Sequence, residues 1–534
     1  MDAFHEAMQQ WRALLGPEAV RESGELDRYR ANCLSLTREI PAALLPESEA
    51  QVIELVRIAN RYLIPLYPFS TGHNWGYGTS LPPAGGCVIV DLSRMNRIVD
   101  MDPELCLITL EPGVTQRQLF DYLSERGLDF FVPTTGAGPT ASIIGNALER
   151  GFGMTPEKDH FTAVHSVRAV LADGTVYQPF MSEIGSPVSD GVYKWGIGPY
   201  VDGLFTQGNF GIVTAMQISL VRRAENTEVF AFTVKDQERF YRLVEDCREM
   251  ATDLRGPIGS MKFINQKQLE ATMGTTKLGA GLDADFAWIG FGVIHCKHSM
   301  ARALRREVRR AIGGQVSRLI FMNDRRLKKL RAVRSWLPGR LGAALDGPIG
   351  RFQEILNIIN GVPRGLELRL AYQHVPFDPT KQPLDPARDG VGLLWYAPVI
   401  PLKRDMVQAM MEMTDRTLSR YGFPQSMSMT TLSEKCGIGV IPVVYKRPEQ
   451  AEHAYDCFRE LWMEGARLGC YPYRINIAAM PELTGTTDSP YWKTVAALKA
   501  AVDPNGILAP GRYNRADIGV ADLGAKTEPL ARTA

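Results

Sequence analysis

The sequence predicts an α+β protein of two domains, and three observations carry that prediction. At 534 residues the chain is too long for one typical core. Its first 225 residues mix short strand-like runs with helices. After Ala224 the grammar changes to four long strand-then-helix units, which is the pattern of a sheet covered by helices. The boundaries that follow are 1–225 for the first domain and 226–474 for the second.

Element by element, Gln51 to Tyr62 places apolar residues at 52, 55, 56 and 59, one face of a helix, and the apolar run Leu63 to Tyr67 follows as a strand. Strand-like runs come next at Cys87 to Val90 and Cys106 to Leu110, then a helix from Thr115 to Arg126. Val167 to Tyr177 predicts a hairpin, because Asp173-Gly174 supplies the turn. The four units of the second domain are Val229 to Thr233 before a helix at 236–251, Phe286 to Ile294 before 299–312, Leu393 to Ile400 before 402–420, and Gly439 to Tyr445 before 448–468. The tail from Ala516 has few large apolar residues to hold it down.

Composition narrows the class of function. Hydrophobic residues make up 45% and charged residues 22%, as in an ordinary globular protein. With 60 basic and 59 acidic side chains there is no global field to draw the chain to nucleic acid or to a membrane. Met1 to Glu6 lacks a basic and then apolar leader, and no run of eighteen apolar residues occurs, so a soluble cytoplasmic protein is expected. The eight cysteines are scattered without a C-x-x-C and read as reduced core residues.

The most informative stretch is Pro68 to Gly78, where Gly72, Gly76 and Gly78 punctuate a loop that follows an apolar strand. Glycines free one side of the backbone, so that consecutive N–H groups can turn toward an anion such as a pyrophosphate. Pro133 to Thr140, with Gly136 and Gly138, leads into Ala141 to Ala147, where small and hydroxyl residues precede a short helix and suit an anion at its start. Gly208 to Thr214 repeats the theme. None of these fits G-x-G-x-x-G after a strand or G-x-x-x-x-G-K-[ST], which argues against a Rossmann or P-loop enzyme.

These loops in this order, with Ile144 to Gly151, Asp159-His160 ahead of Val170 to Gly174, Tyr473-Arg474 and Asp503 to Gly511, resemble the vanillyl-alcohol oxidase and p-cresol methylhydroxylase family of FAD enzymes over most of the chain. The resemblance implies an FAD-binding domain completed by residues 475–534, and a sheet-and-helix substrate cap. It implies that FAD is held by Ser70, Thr71, Gly72, His73, Asn74 and Gly76, by Pro133, Thr134, Gly136 and Gly138, by Ser142, Gly145 and Asn146, by Gly208, Gly211, Ile212 and Val213, and by Arg512. His73 sits where a loop histidine of the wider fold bonds to the flavin, while the family's usual cap tether falls on Leu393, which cannot form that bond. A covalent tether, if present, is expected at His73; the alternative is a neutral imidazole hydrogen-bonding pyrophosphate or backbone. Tyr396 is a poorer tether.

For catalysis the resemblance implies Tyr77, Tyr473 and Arg474 as the cradle of a substrate phenolate. Tyr473 to Ile477 reads as a strand, on which neighbouring side chains point to opposite faces. Asp159 corresponds to an aspartate beside the flavin that activates water or stabilises the developing charge; an exposed polar turn at Lys158-Asp159-His160 is the competing reading. Trp395 and Tyr396 are the substrate-pocket candidates, beside the plainer reading of two aromatic strand residues. Lys435-Cys436-Gly437 stands where the family often has Met-His-His.

The expected reaction is oxidation of a small para-substituted phenol through a quinone methide, with oxygen or an electron-carrier protein as acceptor, in a homo-oligomer. Two rivals are an FAD oxidase of non-phenolic alcohols or carbohydrates and a flavin-binding protein without turnover. No metal is expected: His295 and His298 of His295-Cys296-Lys297-His298 would face opposite sides of a strand. The arginines and lysines between Arg302 and Arg334 read as a solvated helix face, or as an attraction for an acidic partner.

Overall fold

The computed structural model describes residues 3–185, 189–274, 286–378, 380–485 and 489–514. The tail from Ala516 lies outside them.

Three sheets organise the described chain. β1 (Val20–Arg21), β2 (Ala43–Leu44), β3 (Leu66–Phe69) and β4 (Val88–Asp91) form the first, in the order β1-β2-β4-β3, with β4 parallel to both β2 and β3. The helix Glu49–Tyr62 covers it, burying Val52, Leu55, Val56 and Ala59. That helix stops at Leu63, which takes the left-handed C-cap conformation, so the strand starts three residues later than the apolar run suggests. The second sheet comprises β5 (Ile98–Asp102), β6 (Leu107–Leu110), β7 (Val164–Val170), β8 (Val176–Tyr177) and β9 (Ile212–Ser219), in the order β5-β6-β9-β7-β8. β7 and β8 form the hairpin that Asp173-Gly174 predicted.

The third sheet has eight antiparallel strands: β10 (Asn226–Val234), β11 (Ile258–Asn265), β12 (Trp288–Cys296), β13 (Arg318–Met322), β14 (Gly392–Tyr396), β15 (Val399–Pro401), β16 (Ser428–Thr431) and β17 (Cys436–Tyr445). β10 to β13 lie side by side as β13-β10-β12-β11, two β-α-β halves interleaved, and β16 continues the sheet from β11. All four expected helices cover it, at Gln237–Asp253, Ala301–Ile312, Arg404–Arg420 and Ala451–Arg467.

Strand alternation decides what each face of this sheet does. Phe230, Phe232 and Val234 point into the core beneath the helices, where Phe240 stacks on Trp288 with ring centroids 4.0 Å apart. Val229 and Ala231 point the other way, toward the helix Gly339–Ile359. One face is therefore sealed by helices, and the other is left to line a cavity.

Within the basic helices, Arg305 and Arg326 converge on Glu228, which is fully buried, at 2.9 and 3.1 Å. Those two arginines neutralise a core carboxylate, so the run is not a uniform solvated face. All eight cysteines are free, six of them buried. No described helix is long and apolar enough to cross a membrane, and no described group of three metal-ligating side chains gathers in one place.

Candidate active site

A cavity of about 480 Å³ runs between the first two sheets and the open face of the third. Its floor is built from the glycine-punctuated loops. β3 delivers the chain to Ser70, and Gly72, at φ +73°, turns it back where a Cβ would stand 3.3 Å from the Phe69 ring. Among the described residues the amides of Thr71, Gly72, His73 and Asn74 find no acceptor, which leaves a run of N–H groups for an anion. Facing this loop, Ser142 caps the helix Ile143–Leu148 through Gly145 N, and its own N–H donates to Thr71 Oγ1 at 3.1 Å. Gly145 must lack a side chain, because a Cβ there would stand 2.2 Å from Ser70 Oγ. Loop and helix start form one cradle shaped for phosphate oxygens.

His73 lines this cavity, stacked on Trp75 at 4.8 Å between centroids, with Nδ1 3.1 Å from Thr140 Oγ1. Burial lowers its pKa to about 4, so the imidazole is neutral. Arg512 also lines the cavity, ion-paired with Glu149 and donating to Tyr67 Oη at 3.2 Å.

The aromatic and arginine cluster comes together although its local structure differs from expectation. Tyr473 to Ile477 is a bend and turn rather than a strand, held by the isolated bridge of Pro472 with Pro398 and by separate hydrogen bonds from Tyr473 N to Ala397 O at 3.1 Å and from Ile477 N to Tyr77 O at 3.0 Å. The irregular backbone lets consecutive residues turn to one side, so Tyr473 and Arg474 both line the cavity. The Arg474 guanidinium lies 3.9 Å from the Tyr77 ring centroid and 5.4 Å from that of Tyr473. Arg474 Nε is buried and has no hydrogen-bond partner among the described residues. Burial raises the Tyr473 pKa, so its hydroxyl remains a donor.

Of the predicted cofactor residues, Ser70 to Asn74, Thr134, Gly136, Ser142, Gly145, Asn146, Gly208, Gly211, Val213 and Arg512 line the cavity. Gly76, Pro133, Gly138 and Ile212 do not. Gly76 is seated against the Trp395 side chain, where a Cβ would meet Cδ1 at 2.6 Å. Gly138 makes a turn at φ +99° beneath Leu368, and Pro133 stands one residue before the lining begins. Ile212 points into the core of the first sheet while Val213, next along β9, faces the cavity.

Two catalytic or substrate candidates are also displaced. Asp159 does not line the cavity: it bridges to Phe152, and its Oδ1 accepts from Phe161 N at 3.1 Å, which makes it a turn former. Tyr396 is fully buried on the sealed side of β14 against Phe458, whereas Trp395 faces the cavity, as alternation along a strand requires. Conversely Lys262, Gln268 and Glu367 line the cavity unforeseen. For Lys262 a signal existed, a lone cation inside the apolar stretch Met261-Lys262-Phe263-Ile264.

Residues 40–178 match a family model described as an FAD binding domain. The 1'-carboxy-chondrochloren decarboxylase of Chondromyces crocatus is 32% identical over 533 residues, covering 96% of this chain and 97% of that protein. The 4-cresol dehydrogenase (hydroxylating) flavoprotein subunit of Pseudomonas putida is 29% identical over 525 residues, 95% of each chain. A crystal structure of p-cresol methylhydroxylase with substrate bound shares the architecture at a TM-score of 0.83, with 28% identity over 96% of both chains. The chain belongs to the vanillyl-alcohol oxidase and p-cresol methylhydroxylase family. It is an FAD-dependent oxidoreductase, and the cradle of free amides and cramped glycines is what that cofactor's pyrophosphate needs. A 4-ethylphenol oxidase from Gulosibacter chungangensis in complex with isoeugenol has the same fold at a TM-score of 0.83 and 24% identity.

Proposed function

We propose that this enzyme oxidises a small para-substituted phenol, of the 4-alkylphenol or 4-hydroxybenzylic alcohol type. The observation that carries this reading is the convergence of Tyr77, Tyr473 and the unpartnered Arg474 Nε on one cavity. Bound FAD supplies a two-electron acceptor for hydride. Tyr77, Tyr473 and Arg474 hold the substrate oxygen as phenolate, whose electron release toward the para position lets hydride leave the benzylic carbon and yields a quinone methide. Trp395 borders the aromatic ring. Water then adds to the quinone methide of a 4-alkylphenol to give the alcohol, or that quinone methide rearranges to an alkene; a 4-hydroxybenzylic alcohol instead loses its hydroxyl proton after the hydride and becomes the carbonyl. Named relatives acting on 4-cresol and 4-ethylphenol support this choice of substrate class.

His73 is proposed as the flavin tether, since a neutral buried imidazole keeps the lone pair such a bond requires. The acceptor is proposed to be oxygen or an electron-carrier protein, and the assembly a homo-oligomer of chains with an FAD domain at 1–225, completed by the C-terminal stretch, and a cap at 226–474.

A second reading is favoured by the relative named as a decarboxylase. On it, a carboxylate on the carbon next to the benzylic position leaves as CO₂ from the quinone methide. The electrons of the broken C–C bond form an alkene and restore the phenolate.

Anaerobic mixing with para-alkylphenols, 4-hydroxybenzyl alcohols and their O-methyl ethers tests the phenol reading, followed by loss of flavin absorbance. Bleaching by phenols but not by ethers is expected. Equal bleaching by both would refute it and favour non-phenolic alcohols.

A further inference from the structure

Lys262 is the unexplained group of the cavity. β11 sends Met261 and Phe263 into the core beneath the helices and turns Lys262 and Ile264 toward the cavity. Across the sheet Lys262 is in register with Phe291 of β12 and Thr430 of β16, both of which line the same wall. Ile289, Phe291 and Phe352 make that wall largely apolar. In such surroundings a cation has to find an anion or give up its proton. Yet among the described residues the Lys262 ammonium makes no hydrogen bond and no ion pair. Glu367 is the carboxylate whose charge acts on it, and burial works against the charged form of each. The other two carboxylates of the lining are already paired, Glu354 with Arg364 at 3.3 Å and Glu149 with Arg512.

We propose that Lys262 anchors a carboxylate on the para side chain of the substrate, so that the preferred phenols are 4-hydroxyphenyl alkanoic acids. The phenolate is held by Tyr77, Tyr473 and Arg474 from one side of the cavity, and Lys262 reads the other end of the molecule from the cap sheet. Selection comes from charge: an acid restores a partner to a desolvated ammonium, while a neutral alkyl chain of the same length leaves it unpaired. This inference rests on the phenol reading above.

The test uses flavin-loaded full-length enzyme with 3-(4-hydroxyphenyl)propionate, 4-propylphenol and the O-methyl ether of each. Both anaerobic flavin reduction and binding, read from perturbation of the flavin spectrum, are followed. The wild type is expected to favour the acid, and Lys262→Met to weaken its binding about 10- to 150-fold, the span of one charge-assisted hydrogen bond. Binding of 4-propylphenol should change less than about threefold, and Lys262→Arg should restore most of the preference. No preference for the acid in the wild type would overturn the proposal, as would parallel losses for both ligands or a changed resting flavin spectrum in Lys262→Met. The methyl ethers report separately: if they are oxidised as well as the phenols, the phenol reading fails whatever the acid-to-neutral ratio.

Discussion

Removing the charge of Arg474 while keeping its bulk, in Arg474→Met, isolates what this residue does. A phenol with pKa near 10 costs about 4 kcal/mol to ionise at pH 7, at 1.36 kcal/mol per unit. The guanidinium lies close above the Tyr77 ring and near Tyr473, and its Nε is buried without a partner, so it is set to meet a phenolate oxygen. A charge-assisted hydrogen bond contributes roughly 1.5–3 kcal/mol, so flavin reduction by a 4-alkylphenol should slow about 10- to 150-fold. Stopped-flow reduction, normalised to bound flavin, measures this directly. The pH profile adds a second signature: the variant should gain rate as pH climbs toward the substrate's own pKa, while the wild type is flatter. An unchanged rate per flavin, or an equal loss with O-methylated ligands, would refute the assignment of Arg474 to phenolate binding.

Asp159→Ala should leave flavin reduction within about threefold of wild type while costing about 1 kcal/mol from the lost bond to Phe161 N, read by thermal denaturation. A hundredfold loss of rate at full flavin content would return Asp159 to the catalytic machinery. In His73→Ala, flavin should be released by acid precipitation, whereas wild-type protein keeps it in the pellet; flavin retained by the variant would exclude this tether. His160 is buried against Asn146 with its pKa lowered to about 4. Unfolded chain binds a proton at this residue below about pH 6.5 and the folded protein does not, so stability falls as pH drops from about 6.5 to 4, by about 2 kcal/mol at pH 5. His160→Gln should remove that part of the pH dependence, and an unchanged slope in denaturation midpoint would place the titration elsewhere.

The glycine spacing of the loops, the N-cap at Ser142 and the strand-then-helix grammar after Ala224 act over a few residues. They determine by themselves the cofactor cradle, the cap sheet and the helices that cover it. Alternation was equally legible once the strands were in place, since it puts Trp395 toward the cavity and Tyr396 away from it. What no local rule carries is which surfaces meet. Asp159 is aimed by its turn and its bridge to Phe152, and Tyr473-Arg474 abandons the strand its residues favour because Pro472 bridges to Pro398 and Ile475 N donates to Tyr513 Oη. Lys262 acquires a role only when β11 turns it onto a wall shared with Phe291 and Thr430, whose positions in the chain are remote. Contacts between residues tens to hundreds apart depend on how sheets pack across the cavity, and tertiary structure alone decides which side chains share it.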